Sequence, residues 1–177
     1  MSVITVNSEH QYDVVIGNDW LSELVSTLSG YSRVAIVFSE TQKESIPKIS
    51  IDSEVHYFPM PDGEAAKSTQ SIAKMWDWMG AAGFTRSDVV VGIGGGTVTD
   101  VAGFLSATWM RGIDWIAVPT TLAGMVDASV GGKTGINSDY PNNESYSEFV
   151  ESTLKALQAA SDYIEKNGKT PDERAAM

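Results

Sequence analysis

Val89-Val90-Val91-Gly92-Ile93-Gly94-Gly95-Gly96-Thr97-Val98-Thr99-Asp100 is the stretch on which the fold turns. An apolar run of strand length breaks into three consecutive glycines and reopens as a helix-compatible segment. It reads as a buried strand ending in a loop where backbone must approach something closely, since only glycine has no Cβ in the way. Thr97 and Thr99 are candidate N-caps, and the pattern predicts a helix over 99–108. A glycine loop that opens a helix aims free N–H groups and the positive end of the helix dipole at one spot, a ready seat for a pyrophosphate.

Working outward, strand-like and helix-like segments alternate. Residues 3–6 and 12–16 suggest a pair of strands, 20–28 a helix, 34–38 a buried strand, the segment after Thr41 a helix, and 55–58 another strand. Residues 68–82 form the clearest helix of the first half. Ile72, Met75, Trp76 and Met79 share one face, and Gly83 follows at a C-cap position. Strand 89–93, helix 99–108, strand 114–118 and a short helix from Leu122 complete the series. The alternation predicts an α/β fold, a Rossmann-like, doubly wound and mostly parallel sheet, with a ligand site beyond the carboxyl ends of the strands.

The chain has 177 residues, 42% of them hydrophobic and 20% charged, enough for one packed α/β domain. Its formal charge of -11 argues against a nucleic-acid surface, which needs clustered Lys and Arg, so any phosphate site must be local. No run approaches a membrane span and no secretory leader is evident, so the expectation is a cytoplasmic protein with neither membrane nor nucleic-acid partners. There is no cysteine, and the two histidines, His10 and His56, lie far apart without a carboxylate at ligand spacing; no metal site is expected.

After Asn137 the texture changes. Residues 138–143 form a turn-rich joint, and 144–167 read as an added amphipathic helix with Ser145 and Glu148 as a capping box and Tyr146, Phe149, Leu154 and Leu157 along its stripe. The expected division is 1–137 as a nucleotide-binding domain and 138–177 as joint, replacement or rerouted helix, and short tail.

Two familiar phosphate motifs fit poorly. Thr97 stands where the dinucleotide fingerprint beginning at Gly92 would have its third glycine, and Asp127 stands where a P-loop ending at Lys133 would need its first. Asp62-Gly63-Glu64 with Lys67 reads by itself as a turn into an acidic helix start. Asp100, Arg111, Asp127 and Lys133 each lie beside small or apolar residues near strand ends, where a charge needs a partner or a ligand.

Taken together, Pro61-Asp62-Gly63-Glu64-Ala65-Ala66-Lys67-Ser68, the Gly94 to Asp100 loop, Arg111-Gly112, Pro119-Thr120-Thr121-Leu122 and Val126 to Asn137 resemble the N-terminal, NAD-binding domain of the dehydroquinate synthase family. Sedoheptulose phosphate cyclases and glycerol-dehydrogenase-like enzymes share parts of the pattern. The resemblance implies a lyase of the shikimate pathway. In that family a bound NAD transiently oxidises a hydroxyl of a heptulosonate phosphate, phosphate leaves, and the carbocycle closes. It further implies that Glu64 and Lys67 contact the dinucleotide, that Gly94, Gly95 and Gly96 serve its pyrophosphate, and that Asp100, Thr120 and Thr121 surround it. Ser39 or Glu40 would hold the adenosine ribose. Asp127 and Lys133 would face substrate and cofactor, and Arg111 would reach the substrate phosphate of a neighbouring subunit in a homodimer.

The chain also departs from the family. At the family's Gly-Lys-Asn turn, Asn142 stands at the lysine and only Asn143 is kept as a cofactor contact. The family's divalent zinc or cobalt ion, held by a glutamate and two histidines of a C-terminal domain, is not expected in this chain. The implied function is an NAD-binding domain that is catalytically incomplete alone and binds NAD weakly, engaging heptulosonate phosphate only if a C-terminal domain completes it. Two alternatives are a noncatalytic scaffold or assembly module, and a cyclase half completed by a separate metal-bearing chain.

Overall fold

In the computed structural model, the residues described are 2–7, 11–17, 19–130 and 134–137, all within the unit that ends at Asn137. The expected joint and helix at 138–177 lie outside the described residues.

An antiparallel hairpin, β1 (Ser2–Val6) and β2 (Tyr12–Ile16), opens the chain and pairs Ser2 with Ile16 through Val6 with Tyr12. Then come α1 (Trp20–Thr27), β3 (Arg33–Ser39), a 3-10 turn at Glu40–Ser45, β4 (Glu54–Met60), a second 3-10 turn at Gly63–Lys67, and α2 (Thr69–Ala81). They are followed by β5 (Val89–Gly94), α3 (Gly96–Thr108) and β6 (Asp114–Pro119), after which a π-helical turn spans Gly124–Ala128. The four strands β3 to β6 form a parallel sheet in the order β4-β3-β5-β6.

That order explains the layering. The step from β3 to β4 runs one way along the sheet, and the steps from β4 to β5 and from β5 to β6 run the other way. Right-handed crossovers therefore put α2 and α3 on the same face and the 46–51 connection on the opposite face. The packing agrees. Ala35, Val37 and Val90 meet Ile72, Met75 and Met79 of α2 and Val98, Val101 and Leu105 of α3. Val34, Ile36, Phe38, Val89, Val91 and Ile93 meet Leu24 and Leu28 of the α1 layer and Ile49. Every residue of β5 is buried, which is why its sequence is apolar without alternation.

Helix ends follow local chemistry. Ser68 caps α2 by accepting from Ser71 N at 3.2 Å. At the other end Phe84 N donates to Met79 O at 3.0 Å, with Gly83 at φ 72°, the left-handed position that favours glycine. The helix expected over 99–108 begins three residues sooner, and neither threonine caps it. Gly95 is the N-cap, its carbonyl receiving Val98 N and Thr99 N at 3.0 and 3.2 Å. Buried Thr99 turns its hydroxyl back to Gly96 O at 2.9 Å. The segment after Thr41 is a 3-10 turn rather than an α-helix, and the helical start at Leu122 widens into the π-helical turn.

At the amino ends of the strands, fully buried Asp88 accepts from Thr85 N at 2.6 Å, Thr85 Oγ1 at 2.9 Å and Arg33 N at 2.9 Å. Nearby, Tyr31 donates to Asp114 Oδ2 at 2.7 Å. Partial burial, the hydrogen bond to Asp114 and the charge of that carboxylate, in that order, push the Tyr31 phenol up to about 12. Among the described residues no helix is long and apolar enough to cross a membrane.

Candidate functional site

Between the carboxyl ends of β3 and β5 the winding reverses, and an open cleft of about 290 Å³ lies there. Every parallel strand contributes residues at or just past its end: Ser39 and Thr41 from the end of β3, Asp62 and Gly63 after β4, Gly95 and Gly96 after β5, and Thr121 after β6. Its size falls near the lower end of small-molecule pockets, so there is room in it for only part of a large ligand.

The glycines of the loop divide into two pairs with different reasons. A Cβ on Gly92 would stand 2.7 Å from Ala102 Cβ, and one on Gly94 2.5 Å from Val98 Cγ2, so these two let α3 lie down on β5. A Cβ on Gly95 would stand 3.2 Å from Thr121 Cγ2 and one on Gly96 3.3 Å from Ala128 Cβ, so this pair keeps the mouth of the cleft clear. Gly95 itself has φ -74° and ψ -175°, extended backbone open to any residue; space is what requires glycine there. The N–H groups of Gly96 and Thr97 open the helix and have no carbonyl one turn behind them, leaving two donors at the positive end of α3.

Around these donors the side chains are tied down. Ser39 Oγ and Thr41 Oγ1 are 3.1 Å apart, and Thr41 Oγ1 donates to Asp62 Oδ1 at 2.9 Å. Thr120 N donates to Gly94 O at 2.8 Å, carrying the β5–β6 pairing one residue further, and Thr121 Oγ1 accepts from Gly124 N at 3.1 Å. Glu40 lines a separate cavity of about 190 Å³ with Phe58 and Lys74, whereas Ser39 faces the main cleft.

A charged group stands beside the helix start. Lys67 Nζ lies 2.8 Å from Asp100 Oδ2 and 3.8 Å from Glu64 Oε1. Lys67 and Asp100 are largely shielded while Glu64 is 70% exposed. Asn137 closes the group, donating through Nδ2 to Glu64 Oε2 at 2.7 Å and through its backbone N–H to Lys67 O at 2.7 Å. Among the described residues these three ionised side chains sum to one negative charge.

Asp127 is exposed on the π-helical turn beyond β6. Arg111 is elsewhere. It follows the far end of α3, whose 13 residues rise roughly 20 Å, at the amino edge of the sheet. There Met110, Arg111 and Gly112 have φ values of 47°, 75° and 108°, a sharp turn that leaves Arg111 exposed. Lys133 and Asn143 lie outside the described residues. Thr41 and Asn137 were missed as site residues: Thr41 is an ordinary loop threonine in sequence, and Asn137 meets Glu64 across 73 positions. The run Gly135-Ile136-Asn137 was visible, but nothing local to it indicated a carboxylate partner. Among the described residues no group of His, Asp or Glu could hold a metal ion.

The family model described as 3-dehydroquinate synthase N-terminal matches residues 57–157. The 3-dehydroquinate synthase of Thermobifida fusca is 50% identical over 133 residues, covering 72% of this chain and 36% of that protein. The one from Streptomyces avermitilis is 47% identical over 133 residues, covering 72% and 37%. The chain thus spans a little over a third of the length of the curated relatives it matches. Among solved structures, a 2-deoxy-scyllo-inosose synthase shares the fold at TM-score 0.71 and 21% identity, over 80% of this chain and 43% of its own. The 2-epi-5-epi-valiolone synthase of Streptomyces hygroscopicus subsp. jinggangensis 5008, solved with NAD+ and Zn2+ bound, matches at TM-score 0.63 and 30% identity, over 76% of this chain and 39% of its own. With the family model covering more than half of the sequence, the chain belongs to the 3-dehydroquinate synthase family, to which it corresponds as the N-terminal domain.

Proposed function

We propose that residues 1–137 bind NAD and supply the cofactor half of a 3-dehydroquinate synthase site that further residues must complete. The observation that carries this reading is the opening of α3 into the switch-point cleft, where Gly95 and Gly96 leave backbone N–H groups uncovered. A pyrophosphate fits that position on charge and on space. The NAD+ bound in the valiolone synthase, 30% identical to this chain, supports the same cofactor here.

When bound, NAD supplies a hydride acceptor for a hydroxyl of a heptulosonate phosphate. The chain's own groups bind and orient. The first turn of α3 holds the pyrophosphate, Ser39 receives a ribose hydroxyl, and Thr120 and Thr121 form the opposite wall. Lys67, paired to Asp100, keeps that carboxylate from opposing the anion. By the family resemblance, Asp127 and Lys133 would serve the substrate. Arg111, roughly a helix length away, serves the phosphate in the cleft of a second copy, so the working unit is a homodimer.

Because the described residues include no ligand set for the family's zinc or cobalt ion, no step through a metal is assigned to them. The test is a calorimetric titration of the chain with NAD. Saturable one-site binding, lost when Gly95 or Asp100 is replaced in a folded protein, is the expected result. No binding up to millimolar NAD from folded chain would overturn the cofactor assignment and favour an assembly module.

A further inference from the structure

Two carboxylates compete for one ammonium beside the α3 opening. Glu64 and Lys67 are three residues apart in the same 3-10 turn, and Asp100 faces Lys67 from α3. Among the described residues, two carboxylates of equal charge lie within 4 Å of the Lys67 ammonium. The structure holds it on one of them, at 2.8 Å from Asp100 against 3.8 Å from Glu64. Glu64 has a second tie, to the Asn137 amide. A carboxylate oxygen only accepts, so it is the amide nitrogen that faces Glu64 Oε2, at 2.7 Å. Its backbone N–H, bonded to Lys67 O, fixes Asn137 to the very turn that carries both competitors.

We propose that Asn137 is a positioning residue that detains the Glu64 carboxylate and so reserves the Lys67 ammonium for Asp100. The consequence is electrostatic. Asp100 stands one turn into α3, close to the helix-end amides that would receive a pyrophosphate. Neutralised by Lys67, it leaves the positive end of the helix free for an anion; stripped of Lys67, it competes for that same potential. This role rests on the cofactor reading of the cleft.

Asn137→Ala removes the side-chain amide and keeps the backbone N–H, so the tie to Lys67 O survives. Two readouts are taken on the full chain, with and without Glu64→Gln. One is the ¹⁵N shift and proton-exchange lifetime of the Lys67 ammonium in ligand-free protein; the other is NAD affinity. In the native background N137A should shift and shorten the Lys67 signal and weaken NAD binding roughly threefold to tenfold, the scale of one hydrogen bond. In the E64Q background, where no competing charge remains, the same change should move neither readout further. Equal effects in both backgrounds would make Asn137 a plain structural tether and overturn the proposal, as would an unchanged Lys67 signal in N137A. If the native chain does not bind NAD, the cofactor reading fails, while the Lys67 signal still decides the role of Asn137.

Discussion

Lys67 Nζ and Asp100 Oδ2, 2.8 Å apart, join the turn before α2 to the second turn of α3 and so connect two of the elements that wall the cleft. Both side chains are mostly shielded, so removing one leaves the other poorly solvated. Lys67→Met or Asp100→Leu should therefore lower stability by about 1–3 kcal/mol, read by urea denaturation. Each should also weaken NAD binding. Replacing both together should cost less than the sum of the single changes, because neither charge is then stranded.

The two glycine pairs should separate in their effects. Gly92→Ala or Gly94→Ala pushes a methyl into Ala102 or Val98 and should destabilise by about 1–3 kcal/mol, lowering the thermal midpoint. Gly95→Ala or Gly96→Ala meets tight contacts of 3.2–3.3 Å that Thr121 or Ala128 must relieve by a small shift, and should lower the midpoint less than the first pair, while NAD affinity falls at least about tenfold as the approach to the N–H groups closes. Loss of stability without loss of affinity in the second pair would contradict this division.

Asp88 accepts three hydrogen bonds with no exposure to solvent. Asp88→Ala strands Thr85 N and Arg33 N at the amino ends of β3 and β5 and should cost about 2–4 kcal/mol in chemical denaturation. Its distance from the cleft predicts that the folded fraction of the variant binds NAD with native affinity.

Tyr31 gives a pH prediction with a definite sign. Its phenol rises from 10.0 to about 12 on folding, so the fold favours the protonated form. The stabilisation is complete below pH 10, falls as pH climbs, and is gone above about pH 12. Ultraviolet titration of phenolate should show a late-ionising component that is absent in Tyr31→Phe. That variant should also lose part of the stability difference between pH 9 and pH 11.

Much of this architecture can be read from residue order. Val89 to Ile93 is apolar on both faces because β5, like β3, has parallel neighbours on each side and packed layers above and below. The α2 stripe of Ile72, Met75 and Met79 is legible because each of these side chains is fully buried. The start of α3 was not legible, because Thr97 and Thr99 look like caps and a glycine carbonyl does the work instead. Nor was the relation of Arg111 to the cleft, since the length of α3 separates residues that are close in sequence. The Glu64–Asn137 bond has no local signature at all: it exists only once the chain past β6 returns beside the turn preceding α2.

The mouth of the cleft is built from main chain rather than from charged side chains, and this sets how the site can change. No exchange of one polar side chain for another around it removes the Gly96 and Thr97 N–H groups, so on the proposed reading an anion would keep its main-chain donors while those side chains vary. The same seat is vulnerable to a single added carbon at position 95 or 96. On the proposed reading, selectivity for what is attached to an anion would fall to the surrounding walls, which Thr41, Asp62 and Thr121 line.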